Sequence, residues 1–372
     1  MLLTDRDYLY EERIFIYRPY LLQDTRSPMI LNLVIWTGVA IGGTTLVWKG
    51  SGLLEAASER LSVYYGLPDI VQGAIVVAIG SSFPELATVV VSTLIHDTFE
   101  LGVSAIVGSA LFNILIIPAL SGLVSKYQLI SNRDLVYKES QFYMMAIAVL
   151  LLTFSFAVIY HPLPSRDGLL LGEMTRGFAL LPLAFYAVYI FIQYQDSIEF
   201  VSEVDASYIR PAADWLKLLS ALVLILIGVE GLVRSAVNFG EILHSPDFLW
   251  GLTIVAAGTS MPDAFVSIRT ARKGRSLTSI ANVLGSNIFD LLCCIPIGIL
   301  IAGTATINFS LTAPLMAVLT LATLVLFLMM RTHMVLTRWE ACGLLGFYAL
   351  FLTWIALESF QAIDVLSHIP PG

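Results

Sequence analysis

Ten segments of this chain are apolar over 20 or more residues and are joined by short polar loops. Of the 372 residues, 57% are hydrophobic and 13% are charged, which is about half the charged share of a soluble domain. A helix needs roughly 20 apolar residues to cross a bilayer, where its backbone must satisfy its own hydrogen bonds. The sequence therefore predicts an all-α integral membrane protein of about ten transmembrane helices. The predicted spans are Pro28–Trp48, Pro68–His96, Glu100–Leu123, Gln141–Tyr160, Gly168–Tyr194, Trp215–Phe239, Pro246–Thr270, Leu277–Ala302, Phe309–Met330 and Trp339–Ile363.

The remaining parts of the chain are short. We expect an N-terminal tail (1–27), a first five-helix half (28–194), an acidic linker (195–214), a second five-helix half (215–363) and a C-terminal tail (364–372). The N-terminal tail is charged and has no apolar core, which is not typical of a signal peptide. The linker holds five acids and one arginine. We interpret it as a solvated loop, with a weak regulatory cation site as the alternative.

Basic residues are distributed unequally among the loops. The loops after spans 2, 4, 6 and 8 contain only Arg166, whereas the loops after the odd-numbered spans contain eleven basic residues. Because cytoplasmic loops are enriched in Lys and Arg, we expect the odd-numbered loops in the cytoplasm and both termini outside. We call the two sides the odd-loop face and the even-loop face. The eleven residues are Lys49, Arg60, Lys126, Arg133, Lys138, Arg210, Arg272, Lys273, Arg275, Arg331 and Arg338.

An internal repeat is centred on two short motifs. GSSFPE (80–85) recurs as GTSMPD (258–263) 178 residues later, and GSALFN (108–113) recurs as GSNIFD (285–290) 177 residues later. Spans 2 and 7 are five helices apart and so cross the membrane in opposite directions. The two halves are therefore inverted-topology repeats of five helices. This architecture is typical of secondary transporters, which bind substrate near the bilayer midplane at the repeat interface.

The first motif of each repeat combines a helix breaker with oxygen-bearing groups. Proline has no N–H, so Pro84 and Pro262 leave the carbonyls of Gly80 and Gly258 without their helical partners. In a membrane such carbonyls are tolerated only where they face protein or a polar cavity. We therefore expect both segments to unwind into clusters of oxygen ligands, with a structural kink as the alternative for either copy taken alone. The hydroxyls at the same level belong to Ser81, Ser82, Thr259 and Ser260.

Three carboxylates, those of Glu85, Asp263 and Asp290, lie near the middle of their spans. No Lys or Arg lies at a comparable depth, so a bound cation or a proton has to neutralise them. Oxygen ligands favour hard cations such as Ca²⁺ and Na⁺ over transition metals. One Ca²⁺ cancels two of the three negative charges. The site should then also hold a monovalent cation or retain one proton.

Other binding chemistry is absent from the sequence. Cys293, Cys294 and Cys342 lack the spacing of a disulfide or zinc framework, and we interpret them as packing residues. We attribute the net charge of −8 to solvated loops and tails and infer no binding partner from it. We expect no cofactor, no nucleic-acid partner and no obligate protein partner. The partners that the sequence indicates are the transported ions and the lipid bilayer.

The four motif segments, GSSFPE with GSALFN and GTSMPD with GSNIFD, resemble the two alpha repeats of the calcium/cation antiporter superfamily, in particular its sodium/calcium exchangers. The resemblance covers spans 2, 3, 7 and 8. It implies exchange of Ca²⁺ for Na⁺ by alternating access, with spans 1 and 6 sliding across the core. It also implies ion ligands in the motifs, joined by backbone carbonyls near Ala78 and Ala256. The implied side chains are Ser81, Ser82, Glu85, Ser109, Asn113, Thr259, Ser260, Asp263, Ser286 and Asp290.

The second repeat departs from many members of that family, which carry Glu in both repeats where this chain has Glu85 and Asp263. This pairing is similar to the potassium-dependent sodium/calcium exchangers. The side chain of Asp263 is one methylene shorter than Glu, so the cavity is larger unless a helix shift compensates. We therefore carry K⁺ cotransport as a hypothesis.

We expect a secondary active antiporter, and not an enzyme, in a plasma or inner cell membrane. One alternative with the same fold exchanges Ca²⁺ for H⁺, with Glu85 or Asp263 as the proton carrier. A cation channel is an alternative from another class. An intramembrane aspartyl protease using Asp263 and Asp290 is disfavoured, because the matching positions of the first repeat are Glu85 and Asn113, which suit a cage of oxygens.

Overall fold

The computed structural model describes residues 26–65, 78–125, 129–165, 168–196, 211–360 and 362–363. Nine of the described helices are long and apolar enough to cross a membrane, and a further helix, α2, has 17 residues in the described part. The predicted all-α membrane architecture is confirmed. The helices are α1 (Arg26–Tyr64), α2 (Ala78–Leu94), α3 (Phe99–Val124), α4 (Ser140–Tyr160), α5 (Arg176–Asp196), α6 (Pro211–Leu243), α7 (Asp247–Arg272), α8 (Ser276–Ala302), α9 (Phe309–Arg331) and α10 (Arg338–Ser359).

Two predicted boundaries differ from the structure. α1 continues to Tyr64, well beyond the predicted end at Trp48, so Lys49 and Arg60 are helical and do not lie in a loop. The predicted span 168–194 begins as a β-strand and becomes helical only at Arg176. The residues before Arg176 satisfy their backbone hydrogen bonds by pairing with neighbouring strands, which apolarity alone does not reveal. The N-terminal tail up to residue 25, most of the linker, the C-terminal tail and residues 68–77 of the second predicted span lie outside the described residues.

Short antiparallel strands connect the loops on each face. β2 (Pro162–Leu163) pairs with β3 (Leu171–Thr175), which pairs with β4 (Thr304–Asn308), all from the loops after α4 and α8. β1 (Leu129–Ile130), after α3, pairs with β5 (Val335–Leu336), after α9. Strands that share hydrogen bonds lie on the same side of a membrane. The pairing therefore places these even-numbered loops on one face and these odd-numbered loops on the other, as alternating crossings require.

Local signals set the ends of three helices in the second half. α8 ends at Gly303, whose φ of +91° is readily adopted only by glycine. The side chain of Asn308 accepts a hydrogen bond from the Leu311 N–H at 3.4 Å and caps α9. α10 begins with a capping box, in which Thr337 accepts from the Glu340 N–H at 3.3 Å and Glu340 accepts from the Thr337 N–H at 2.8 Å.

The helices differ in how deeply they are buried, and α1 and α6 are among the more exposed ones. In its most apolar 18-residue stretch, 83% of α3 and 78% of α8 is buried, against 17% of α1, so the repeat motifs lie on the most enclosed helices. α1 and α6 pack extensively against each other. A Cβ on Gly43 would lie 2.7 Å from the Gly228 carbonyl oxygen, and one on Gly228 would lie 2.8 Å from that of Gly43. The two backbones thus touch where only glycine fits.

Candidate functional site

Four helices bring the predicted carboxylates to one buried place. Glu85 on α2 and Asp263 on α7 are each 2% exposed, and Asp290 on α8 is fully buried. The charge of Asp263 acts on Glu85, and both act on Asp290, so the three lie close together. We call this place the central site. Its residues, with their neighbours on α3, are Ser82, Glu85, Ser109, Asn113, Ser260, Asp263 and Asp290.

Hydrogen bonds in the central site connect the two repeats. Ser109 Oγ on α3 donates to Glu85 Oε1 at 3.3 Å and lies 2.7 Å from Ser260 Oγ on α7. Asn113 Nδ2, one helical turn further along α3, donates to Asp263 Oδ2 at 3.4 Å. α3 of the first repeat therefore binds α7 of the second at two successive levels. The motifs assemble one shared site, which the inverted repeat predicts.

Several oxygens of the central site have no hydrogen-bond partner among the described residues. They come from all four helices and are fully enclosed. A buried polar atom left unpaired costs free energy and is rare in folded proteins, so a group of them indicates a ligand. The five atoms are Ser82 Oγ, Glu85 Oε2, Asn113 Oδ1, Asp263 Oδ1 and Asp290 Oδ2.

The three carboxylates also have no cationic partner among the described residues. The ion pairs in the described part of the chain join other residues, such as Arg60 with Asp214 at 2.9 Å. Within the same residues, no three His, Cys, Asp or Glu side chains are arranged to hold a metal ion by themselves. A cation here would therefore be held by carboxylates together with hydroxyl, amide and carbonyl oxygens, which is the ligand set of Ca²⁺ and Na⁺.

The backbone around the motifs differs from the predicted unwinding. Gly80 to Glu85 and Gly258 to Asp263 are both helical, and the prolines lie inside continuous α2 and α7. Backbone irregularity occurs instead in the second repeat, as two π-helical segments, Gly251–Val255 in α7 and Asp290–Cys294 in α8, whereas the described part of α2 has none. π-helical turns are common at functional sites. Extra residues in these turns accommodate the packing without opening the helix.

Four of the remaining predicted ligands, namely Ser81, Ala256, Thr259 and Ser286, are also buried. Thr259 lies beside Glu85, and Ser286 lies beside Asp263. Thr259 Oγ1 donates to the Ala256 carbonyl at 3.3 Å, so that carbonyl already has a partner. Ser81 is buried on α2, and Ala78 is its first residue.

Sequence reasoning missed three residues around the central site. Asn287 on α8 accepts from Asn113 Nδ2 at 3.0 Å and donates to the Ala110 carbonyl at 3.2 Å and to the Tyr143 hydroxyl at 3.1 Å. The sequence signal for Asn287 was a polar residue at the position where the first repeat has Ala110. No sequence signal indicated Tyr143 on α4. Cys294, interpreted as a packing residue, is buried but also lies 3.7 Å from Asp290 Oδ1, a weak thiol contact.

Known proteins resemble this chain over most of its length. The chain is 25% identical to the sodium/calcium exchanger MaX1 of Methanosarcina acetivorans over 342 residues, covering 83% of this chain and 95% of that protein. It resembles a solved structure of the sodium-calcium exchanger NCX_Mj with a TM-score of 0.55 and 25% identity, covering 86% of this chain and 99% of that one.

Two further matches bear on the family. A stretch of 54 residues, 14% of this chain and 11% of that protein, is 52% identical to human sodium/potassium/calcium exchanger 5. The model of the family described as sodium/calcium exchanger protein matches residues 35–195 and 214–357, which is most of the sequence. The chain belongs to the sodium/calcium exchanger protein family, whose members are membrane transporters.

Proposed function

We propose that this chain is a secondary active antiporter that exchanges Ca²⁺ for Na⁺ at the central site by alternating access. The observation that carries the proposal is a set of five buried oxygens from four helices around three carboxylates. Within the described part of the chain, these oxygens have no hydrogen-bond partner and the carboxylates have no cationic partner. A cluster of this kind is costly in a membrane without a bound cation, and a hard cation removes the cost. The family membership supports the same class of substrate.

Charge balance supports competition between the two ions. Glu85, Asp263 and Asp290 supply up to three negative charges, so one Ca²⁺ leaves at most one charge uncompensated. Three Na⁺ would neutralise the same carboxylates, and two Na⁺ would leave the same net charge as one Ca²⁺. Because both ions would use the same oxygens, binding of one excludes the other, which is the requirement for coupled exchange.

The helix arrangement is suited to alternating access. α1 and α6 touch backbone to backbone at Gly43 and Gly228 and lie outside the core helices that carry the motifs. Close backbone contact at these glycines holds the two helices together, so the pair is suited to move as one unit. We infer that α1 and α6 move together across the core and open the central site to one face at a time, as the resemblance to the family implies.

The test of coupling is uptake of ⁴⁵Ca²⁺ into proteoliposomes loaded with Na⁺ and diluted into Na⁺-free medium. Uptake that requires the outward Na⁺ gradient is the expected result. Uptake that is indifferent to Na⁺ and follows a pH gradient would replace the proposal with Ca²⁺/H⁺ exchange. A Ca²⁺ flux without any counter-ion requirement would indicate a channel.

The site assignment is tested by Glu85→Gln, which keeps the shape of the side chain and removes its charge. Because Glu85 Oε2 is an unpaired oxygen of the central site, we expect Na⁺-dependent Ca²⁺ uptake to be abolished. The control is Glu241→Gln, an exposed acid near the end of α6. Unchanged uptake in Glu85→Gln would show that the ions bind elsewhere.

A K⁺-dependent variant of this exchange is the second candidate. Two observations favour it: Asp263 is shorter than the Glu of the first repeat, and a local match at 52% identity links the chain to a sodium/potassium/calcium exchanger. The uptake assay is repeated with and without K⁺ alongside Ca²⁺. A K⁺ requirement that Asp263→Glu removes would support a potassium role for this position. We further propose a plasma or inner cell membrane as the location.

A further inference from the structure

A fourth carboxylate, Glu55 on α1, lies next to the central site although it belongs to neither repeat motif. A Cβ built on Gly80 would lie 3.6 Å from the Glu55 Cα, so α1 packs directly against the first motif at this residue. Glu55 is also close enough to Asp263 for the two charges to interact. Its side chain is half-buried and makes no ion pair or hydrogen bond with the described residues.

Ser51 lies one helical turn before Glu55 on the same face of α1. It is 2% exposed, and its hydroxyl oxygen has no partner among the described residues. The same face of α1 contacts α7, because Thr44 lies against Gly258 and the ring of Trp48 stacks on Phe265 with centroids 4.3 Å apart. An unpaired buried hydroxyl and an unpaired carboxylate thus face the motif helices from α1.

The position of Glu55 along the membrane is on the odd-loop side of the central site. α1 runs toward the odd-loop face, and Glu55 follows Thr44 by eleven residues, or roughly 16 Å of helix. Thr44 lies level with Gly258, and Asp263 is five residues, or roughly 7 Å, further toward the same face on α7. Glu55 therefore lies beyond Asp263, between the central site and the odd-loop face.

The inverted repeat does not reproduce this arrangement on the other side. Where α1 presents Glu55 to Gly80, α6 presents Leu232 to the matching Gly258, with a Leu232 Cδ1 2.9 Å from a Cβ placed there. α6 does carry acids on the even-loop side, but Glu230 is ion-paired with His96 and Arg234, and Glu241 lines a surface cavity of about 720 Å³ near the end of the helix. Neither is among the atoms nearest to a Cβ on Gly258. The odd-loop side of the central site therefore has a carboxylate beside the first motif, whereas at the matching glycine of the second motif α6 has a leucine.

We infer that Ser51 and Glu55 form a staging point, where the transported cation pauses between the central site and the odd-loop face. This inference rests on the proposed function, since it concerns the path of the same ion. An unpaired carboxylate near a narrow path raises the local cation concentration and the rate of entry. Because the staging point moves with α1, it would meet the ion only when this side is open. The asymmetry predicts different apparent affinities for Ca²⁺ at the two faces.

The test is ⁴⁵Ca²⁺/Ca²⁺ self-exchange in membrane vesicles of both orientations, with the half-saturating Ca²⁺ concentration measured at each face. For Glu55→Gln we expect this concentration to rise about fivefold at the odd-loop face and less than twofold at the even-loop face. Ser51→Ala should give a smaller rise at the same face, and Glu55→Asp should restore the wild-type value. Glu59→Gln is the matched control, because it removes the same charge one turn further along α1 from an exposed position.

A second measurement distinguishes a staging residue from a ligand. Equilibrium binding of Ca²⁺ by the purified Glu55→Gln protein should stay within threefold of wild type, which also shows that the variant is folded. Loss of binding as large as that of Glu85→Gln would place Glu55 inside the central site and overturn the inference. Equal changes for Glu55→Gln and Glu59→Gln, or equal effects at both faces, would also overturn it.

Ca²⁺ self-exchange needs no Na⁺, so the proposed Ca²⁺/Na⁺ exchange and the proposed staging point can be refuted independently. A wild-type protein that self-exchanges Ca²⁺ but shows no Na⁺-dependent uptake would refute the coupling ion and leave the staging result valid. A protein that transports no Ca²⁺ under either condition would refute both.

Discussion

Gly108 on α3 lies where α3 and α7 meet beside the central site. A Cβ at this position would lie 2.2 Å from the Leu252 carbonyl oxygen and 2.7 Å from the Ala256 Cβ. Ordinary contact begins at 3.4 Å, so Gly108→Ala requires the two helices to separate by about 1 Å. The 2.7 Å contact between Ser109 and Ser260 would then exceed hydrogen-bonding distance.

The cost of this change follows from two terms. Overpacking of a tight core costs about 1–3 kcal/mol, and a lost buried hydrogen bond adds about 1 kcal/mol. If about 2 kcal/mol of the total appears in ion binding, the Ca²⁺ affinity falls roughly 30-fold. Isothermal titration with Ca²⁺ measures the affinity of the purified protein, and the thermal unfolding midpoint, which we expect to fall, measures the packing cost.

The inverted repeat supplies the control for this experiment. Gly285 occupies the matching position in the second repeat, but a Cβ there would meet none of the described atoms within 4 Å. Gly285→Ala should therefore leave both the Ca²⁺ affinity and the unfolding midpoint close to wild type. The reasoning is refuted if Gly108→Ala binds Ca²⁺ within threefold of wild type, or if the two variants are equally impaired.

Three further predictions test separate parts of the structure. Asp290→Asn leaves one fewer charge in the central site and should lower Ca²⁺ affinity by at least about tenfold, or roughly 1.4 kcal/mol, in titration; unchanged affinity would exclude Asp290 as a ligand. Gly43→Ala should slow ⁴⁵Ca²⁺ exchange because its Cβ meets the α6 backbone, whereas Gly38→Ala, with no described atom within 4 Å, should not; equal rates would refute a tight α1–α6 contact. Thr337→Ala removes one of the two hydrogen bonds of the capping box with Glu340 and should destabilise α10 by about 1 kcal/mol. We expect a lower thermal unfolding midpoint, whereas ⁴⁵Ca²⁺ exchange at low temperature should be normal.

Much of the central site could be predicted because its residues are repeated and out of place in lipid. Glu85 and Asp263 recur at one spacing in apolar segments, and an unpaired carboxylate in a bilayer has few explanations other than an ion. Asn287 and Tyr143 could not be predicted in the same way. Their roles depend on contacts between α3, α4 and α8, which lie far apart in sequence.

The sequence by itself determined the membrane class, the helices and the inverted repeat, because lipid forces each apolar span to satisfy its own backbone hydrogen bonds locally. Only the tertiary structure decided the features that depend on long-range pairing. Leu171–Thr175 is a strand because β4 lies beside it, although its residues are apolar enough to extend a span. The motifs are helical in spite of their prolines, and π-helical turns such as Gly251–Val255 lie in the helices of the second repeat, neither of which the residue pattern predicts. Glu55 contacts the first motif because α1 crosses it. This contact could not be predicted from the spacing of residues in the sequence.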